Sequence, residues 1–212
     1  TEKVAVALSG GLDSTTLLYT LVKQYGATNV FAISFEYQQK QNHELTMAAL
    51  TCAKLGVCHQ IVDMSFLGDI VRPVSSNVKG SDIATPTIQE VLGEPQPSSY
   101  IPFRNLLFSS VLLSFAESNN CGAIALGLQV HDLYGYWDTS LEFVQAMQYI
   151  CDMNRKHAIE IFTPFVEFSK VDELEIGIEL GVDYSLTLPS YNPTANADSC
   201  RIFATCSERI AS

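Results

Sequence analysis

Near the start of the chain, Leu8-Ser9-Gly10-Gly11-Leu12-Asp13-Ser14-Thr15 brings two glycines, three hydroxyls and a carboxylate into eight positions. Paired glycines let backbone N–H groups close on an anion, and a helix that opens just after them adds a favourable dipole. The chemistry this suits is the holding of a phosphate chain, with Leu8, Ser9, Gly10, Gly11, Asp13, Ser14 and Thr15 as candidate nucleotide-binding residues. The spacing is neither G-x-x-x-x-G-K-[ST] nor G-x-G-x-x-G. Taken alone, a glycine-rich turn with a Ser or Asp helix cap is the competing reading.

Such a loop needs a strand to deliver it and a helix to receive it. Val4-Ala5-Val6-Ala7-Leu8 is a continuous apolar run, the pattern of a buried parallel strand. From Thr15 to Tyr25 apolar residues recur at helical spacing, with Gly26 as the stop. The alternation continues with a strand from Val30 to Phe35, a helix from Glu44 to Leu55 closed by Gly56, and a strand from Gln60 to Met64. Between Ser65 and Tyr100 four prolines and scattered Ser, Thr and Gly predict a long irregular segment. Regularity resumes with a helix from Leu106 to Ser118, a strand from Ala123 to Leu128 and a helix from Ser140 to Met153. A strand from Ile159 to Phe162 follows, then a helix from Lys170 to Leu180 ended by Gly181. Alternating strands and helices predict an α/β domain: a Rossmann-like parallel sheet with helices on both faces over residues 1–188, followed by a small irregular C-terminal tail over 189–212.

Of the 212 residues 47% are hydrophobic, enough for one substantial core. The net charge of −11, with only 12 Lys and Arg, opposes a nucleic-acid partner and favours a small-molecule or protein one. No run of eighteen apolar residues occurs, so no membrane span is expected. Thr1-Glu2-Lys3 leads straight into a strand-like run, so no signal peptide is expected. The six cysteines are scattered, several of them within apolar patterns, which suits reduced thiols in the cytoplasm.

S-G-G-x-D-S after a first buried strand resembles the PP-loop of the ATP pyrophosphatases, a superfamily of adenine nucleotide alpha hydrolase-like fold. Three further segments resemble its 7-cyano-7-deazaguanine synthase family. Tyr100-Ile101-Pro102-Phe103-Arg104-Asn105 is similar to Y-V-P-G-R-N. The stretch Gly127-x4-Asp132-x2-Gly135-Tyr136-Trp137-Asp138-x3-Glu142-Phe143 is similar to G-x4-D-x-S-G-Y-P-D-C-R-x-E-F. Ile161-Phe162-Thr163-Pro164-Phe165, followed by Ser169-Lys170, is similar to I-x-T-P-L-x5-K. The resemblance implies an ATP- and Mg²⁺-using enzyme, a homodimer, that adenylates 7-carboxy-7-deazaguanine and passes the acyl group to nitrogen. On that basis Asp13, Lys170 and Arg104 are the catalytic candidates, the two cations serving the charge that develops on the phosphates. Ser34 and Gly127 would lie near the nucleotide. For the deazaguanine, Tyr136, Trp137 and Phe143 offer stacking faces, and Asn105, Asp132, Asp138 and Glu142 offer hydrogen-bonding groups. Plainer readings stay open: a solvated first-turn Lys170, a surface ion pair at Arg104, core packing at Phe143 and a helix-dipole charge at Glu142.

The chain departs from the family in four places, one of them Trp137-Asp138-Thr139-Ser140 in place of P-D-C-R. The family's Y-G-Q-R-H reads Tyr37-Gln38-Gln39-Lys40-Gln41 and the Gly of P-G-R-N is Phe103. A side chain in place of glycine and the loss of a histidine point to a divergent member that stops at an amide. The acyl acceptor could then be a protein amine, as in relatives carried by bacterial defence operons. The family's zinc-binding cysteines, spaced roughly C-x8-C-x2-C-x2-C, correspond to Ser190, Cys200, Phe203 and Cys206. Structural zinc takes four Cys or His ligands, and two thiolates do not close a site. No structural zinc is therefore expected, and purified protein should carry well under one zinc per chain by elemental analysis. Stoichiometric zinc that survives dialysis would contradict this.

Overall fold

The computed structural model describes residues 2–87, 96–129 and 136–187. Five strands, β1 Val4–Ala7, β2 Val30–Glu36, β3 Cys58–Asp63, β4 Ala123–Ala125 and β5 Glu160–Phe162, form one sheet in the order β3-β2-β1-β4-β5. Every pair is parallel. Helices α1 Leu12–Tyr25, α2 His43–Leu55, α3 Ser65–Val71, α4 Arg104–Ser118, α5 Leu141–Asp152 and α6 Lys170–Glu179 connect or flank them.

Strand β1 is buried on both faces, which is why its sequence is apolar without alternation. Its side chains alternate between two cores. Ala5, with Ile33 and Ile124, packs against Leu112 and Ala116 of α4 and Phe143 and Met147 of α5. Val4 and Val6 pack against Leu17, Leu18 and Leu21 of α1 and Ala48 and Cys52 of α2. Helices thus cover both faces. Strand order reverses at β1, between β2 and β4, and the crevice at the C-terminal ends of such strands is where α/β sheets bind ligands.

The predicted elements differ from the observed ones in three informative places. Helix α1 begins at Leu12, three residues before the apolar periodicity does, because its first turn is the polar loop itself. Strand β4 ends at Ala125, and Leu126 to Leu128, although apolar, leave the ladder after Leu126 N–H donates to the Phe162 carbonyl. The segment expected to be irregular contains α3, held by Leu67 and Val71 in a small third core with Val78 and Ile101. Cys52, Cys121 and Cys151 are buried free thiols and Cys58 is exposed. The cysteines of the tail lie outside the described residues. Among the described residues no helix is long and apolar enough to cross a membrane.

Helix α6 docks on α1 through a glycine. A methyl at Gly177 would sit 1.6 Å from the Tyr184 hydroxyl, which itself hydrogen-bonds Thr16 Oγ1 at 2.9 Å. That contact fixes where Lys170, the first residue of α6, stands relative to α1. Gly177→Ala is expected to lose about 1–3 kcal/mol by overpacking. Urea denaturation measures it, and an unchanged midpoint would show that Tyr184 can move away freely.

Candidate active site

Leu8 leaves β1 with its N–H on the Ile33 carbonyl at 2.8 Å, and the chain then turns into the loop. At Gly10 φ is +91°, and a Cβ there would lie 2.1 Å from the Glu44 carbonyl oxygen of α2. Only glycine fits, in conformation and in space. Ser14 Oγ ties the turn together: it accepts from the N–H groups of Ser9 and Gly10, each at 3.2 Å, and lies 3.0 Å from Ser9 Oγ. Gly11 caps α1 with its own backbone. The first-turn N–H groups of a helix have no carbonyl within it to bind, so they are left for an anion. Gly127 passes across the mouth of the loop, where a methyl would meet Ser14 N at 3.4 Å. Lys170 Nζ donates to both oxygens of Asp13, at 2.6 and 2.7 Å. Ser169 and Asp172 form a capping box that starts α6 at Lys170.

Beside the loop lies a cavity of about 610 Å³. Ser9, Asp13 and Ser14 line it on the loop side, and Leu126, Gly127, Leu128 and Gln129 on the β4 side. Glu44, His43 and Lys40 come from α2 and the segment before it, and Arg104, Asn105, Phe108 and Ser109 from α4. Phe35 and Phe108 stack at 4.1 Å and 13°, giving a flat aromatic wall. Ser109 is fully buried on this wall, and its hydroxyl has no hydrogen-bond partner among the described residues.

Charge in the cavity is set by neighbours. Burial alone would lower the Arg104 pKa, but Tyr37, which it hydrogen-bonds, and Asp138 more than offset this, so the guanidinium stays charged. Burial pushes the Asp138 carboxyl up while Arg104 pulls it down. Burial also pushes the Glu44 carboxyl up to about 7; Arg104 opposes this and Asp13 adds to it.

The structure brings Leu8, Ser9, Asp13, Ser14, Arg104, Asn105, Gly127 and Tyr136 together on this cavity. Lys170 joins through Asp13. Other residues singled out in the sequence stand elsewhere. Ser34 is fully buried, its hydroxyl donating to the Leu8 carbonyl at 2.6 Å and meeting His59 Nε2 at 2.8 Å. It braces the entry to the loop instead of lining the cavity. The Thr15 hydroxyl is buried without a partner. Asp138 accepts from Asn105 N–H at 3.3 Å and so positions the start of α4. Phe143 belongs to the core, its ring edge-on to Trp137, and Glu142 is exposed on α5. Trp137 donates to the Tyr100 hydroxyl at 2.8 Å and meets the ring of Phe103 at 5.2 Å. Asp132 lies outside the described residues. Gln38, expected to intrude on the site, turns its amide to α3: Nε2 donates to the Ser65 carbonyl at 2.8 Å and to Asp69 at 3.0 Å, and Oε1 accepts from Arg72 at 2.6 Å. Glu44, Phe35, Phe108 and Ser109 were not singled out beforehand, and nothing in their local pattern distinguishes them from ordinary helix or strand residues.

A parallel sheet that reverses at β1, with a glycine loop leading from β1 into α1, defines a Rossmann-like α/β fold of the PP-loop type. Two solved structures share it. The NH3-dependent NAD synthetase from Campylobacter jejuni superposes with a TM-score of 0.53 at 20% identity, covering 87% of this chain and 66% of that one. The U34-tRNA thiolase NcsA from Methanococcus maripaludis superposes with a TM-score of 0.51 at 19% identity, covering 99% and 65%. The family is narrower than the fold. The model of the queuosine biosynthesis protein QueC matches residues 3–212. Proteins named 7-cyano-7-deazaguanine synthase are 38% identical over 211 residues in Caldicellulosiruptor saccharolyticus, covering 98% of this chain and 89% of the relative. In Pseudoalteromonas translucida the identity is 35% over 210 residues, covering 99% and 93%. The chain belongs to the QueC family.

The raised Glu44 pKa makes folding pH-dependent. Relative to its ordinary value of 4.5, the folded carboxyl holds its proton up to about 7. The contribution to stability is therefore full below pH 4.5 and is lost as pH rises through about 7. Glu44→Gln should remove this loss: in urea melts at pH 5 and pH 8, the variant should gain on the wild type at the higher pH. A gain of equal size at both pH values would contradict the assignment.

Proposed function

We propose that this chain adenylates 7-carboxy-7-deazaguanine with ATP and transfers the acyl group to ammonia, forming the amide and then, with a second ATP, the nitrile 7-cyano-7-deazaguanine. The observation that carries the reading is the phosphate loop opening, with Arg104, onto a cavity of about 610 Å³ bearing an aromatic wall. That is the size and character of a small-molecule site. The near full-length similarity to relatives named for the product 7-cyano-7-deazaguanine supports the reading.

The residues then have definite tasks. The first-turn N–H groups of α1 hold the β,γ-pyrophosphate. A carboxylate oxygen of the substrate attacks the α-phosphorus, and pyrophosphate leaves with the electron pair of the broken P–O bond. Lys170, held on Asp13 until then, reaches the departing phosphates, and Arg104 serves the substrate carboxylate or the phosphates from the opposite wall. Mg²⁺ supplies further neutralisation of the phosphates when bound. Mg²⁺ is commonly held through substrate phosphates and one or two carboxylates, so a three-residue protein cluster, which the described residues lack, is not required. The flat face of Phe35 and Phe108 suits a purine-like ring.

The expectation of a larger amine as acceptor rested partly on Gln38 crowding the acyl group. With its amide bound to α3 that argument lapses, and ammonia is the acceptor we favour.

Lys170→Ala tests the reading. ATP–pyrophosphate exchange with the carboxylate should fall about 10²–10³-fold. The fold should hold, because the Asp13–Lys170 pair is partly exposed and such pairs contribute about 0–1 kcal/mol. ADP as the sole nucleotide product of the wild type would overturn the adenylation mechanism.

A further inference from the structure

The carboxylate of Glu44 stands on the cavity wall next to the phosphate loop, pressed there because its own backbone carbonyl packs on Gly10. It is partly buried, yet among the described residues it makes no hydrogen bond or ion pair. A desolvated carboxylate without a partner is costly to keep, and such a group in a cleft marks a place that a ligand completes. The charges acting on it are Asp13 on α1 and Arg104 on α4. Lys40 and His43 stand on the rim from its own segment, and Lys170 on α6 is taken up by Asp13.

Both anionic reactants, the triphosphate and the substrate carboxylate, already have cations and loop N–H groups to meet them. A further carboxylate repels both. Ammonia, the acceptor favoured above, is mostly ammonium at neutral pH, a small cation that cannot attack until it loses a proton. We infer that Glu44 captures ammonium in the cavity and takes its proton, releasing ammonia beside the acyl-adenylate. The inference rests on the adenylation reading above. In the step, an N–H bond of ammonium breaks and the proton goes to the Glu44 carboxylate. The freed lone pair forms the C–N bond, the C–O bond to AMP breaks, and AMP leaves with that electron pair. The second nitrogen proton passes to solvent, and Glu44 returns its own to water before the next turnover. The charge needed to accept the proton is present in a larger fraction of molecules as pH rises past about 7.

The test separates the two half-reactions of the full chain. Glu44→Gln should retain ATP–pyrophosphate exchange with 7-carboxy-7-deazaguanine in the absence of ammonium, with unchanged Mg²⁺ dependence. Its amide formation from ammonium chloride should drop about a hundredfold at neutral pH, and the drop should shrink at high pH, where free ammonia is plentiful. Glu44→Asp, which keeps the charge, should fall between the two and guards against a variant that merely misfolds. Amide formation by Glu44→Gln at the wild-type rate would overturn the inference. Exchange and amide formation lost together in a folded Glu44→Gln would also overturn it, by placing Glu44 on the nucleotide, its metal or the substrate base. A wild type without any exchange would instead remove the adenylation reading, and this inference with it.

Discussion

The backbone at Gly10 leaves no room for a methyl group, because the first turn of α2 lies directly against it. Everything at the site follows from that approach. The loop cannot bulge toward α2, so it curls over Ser14, whose Oγ accepts from the Ser9 and Gly10 N–H groups. Helix α2 cannot retreat, because Ala48 and Cys52 further along it are locked in the core with Val6 and Leu18. The result is a wall that carries the glycine loop on one side and a carboxylate, Glu44, on the other. Ser34 adds a brace by donating to the Leu8 carbonyl and meeting His59, whose pKa burial lowers.

The chain is strongly acidic, yet the site is built around cations. Arg104 lines the cavity from α4, with Tyr37 and Asp138 acting on its charge, and Lys170 is paired with Asp13, which lines the cavity too. This arrangement keeps two positive charges fixed in a partly desolvated space without an anion bound. The acidic surface outside would discourage polyanions larger than the cavity admits.

The β1–loop–α1 unit was legible because its signals are local: an apolar run, paired glycines, then helical periodicity. The end of β4 was not, since Leu126 to Leu128 are as apolar as a strand, and only the ladder shows that they leave it to approach the loop. Helix α3 was hidden among prolines because seven residues with two large buried side chains give too little pattern. Ser34 read as a site residue because a polar side chain in a buried strand demands a reason; the reason proved to be a carbonyl and a histidine within the sheet. The aromatic run from Tyr136 to Phe143 was legible as a cluster, but most of its rings face Tyr100, Phe103 and the core. Glu44 could not be singled out: an acid in a first helical turn is ordinary, and only the tertiary contact with Gly10 turns it toward the cavity.

The two departures from the family's glycines fall at the same kind of place. Gln38 has φ +63° and Phe103 has φ +54°, both in the left-handed region that glycine occupies without penalty. For other residues that conformation costs about 1–2 kcal/mol. Each replacement is offset by contacts a glycine could not make. Gln38 links the segment after β2 to Ser65, Asp69 and Arg72, and the ring of Phe103 packs on Trp137. Neither residue lines the cavity. The path of the backbone is therefore what the site requires at these positions, and the identity of the residue is decided by what lies on the outer side. In this chain Gln38 ties α3 to the segment after β2 and Phe103 packs the start of α4 on Trp137, both away from the cavity that the loop and Arg104 line.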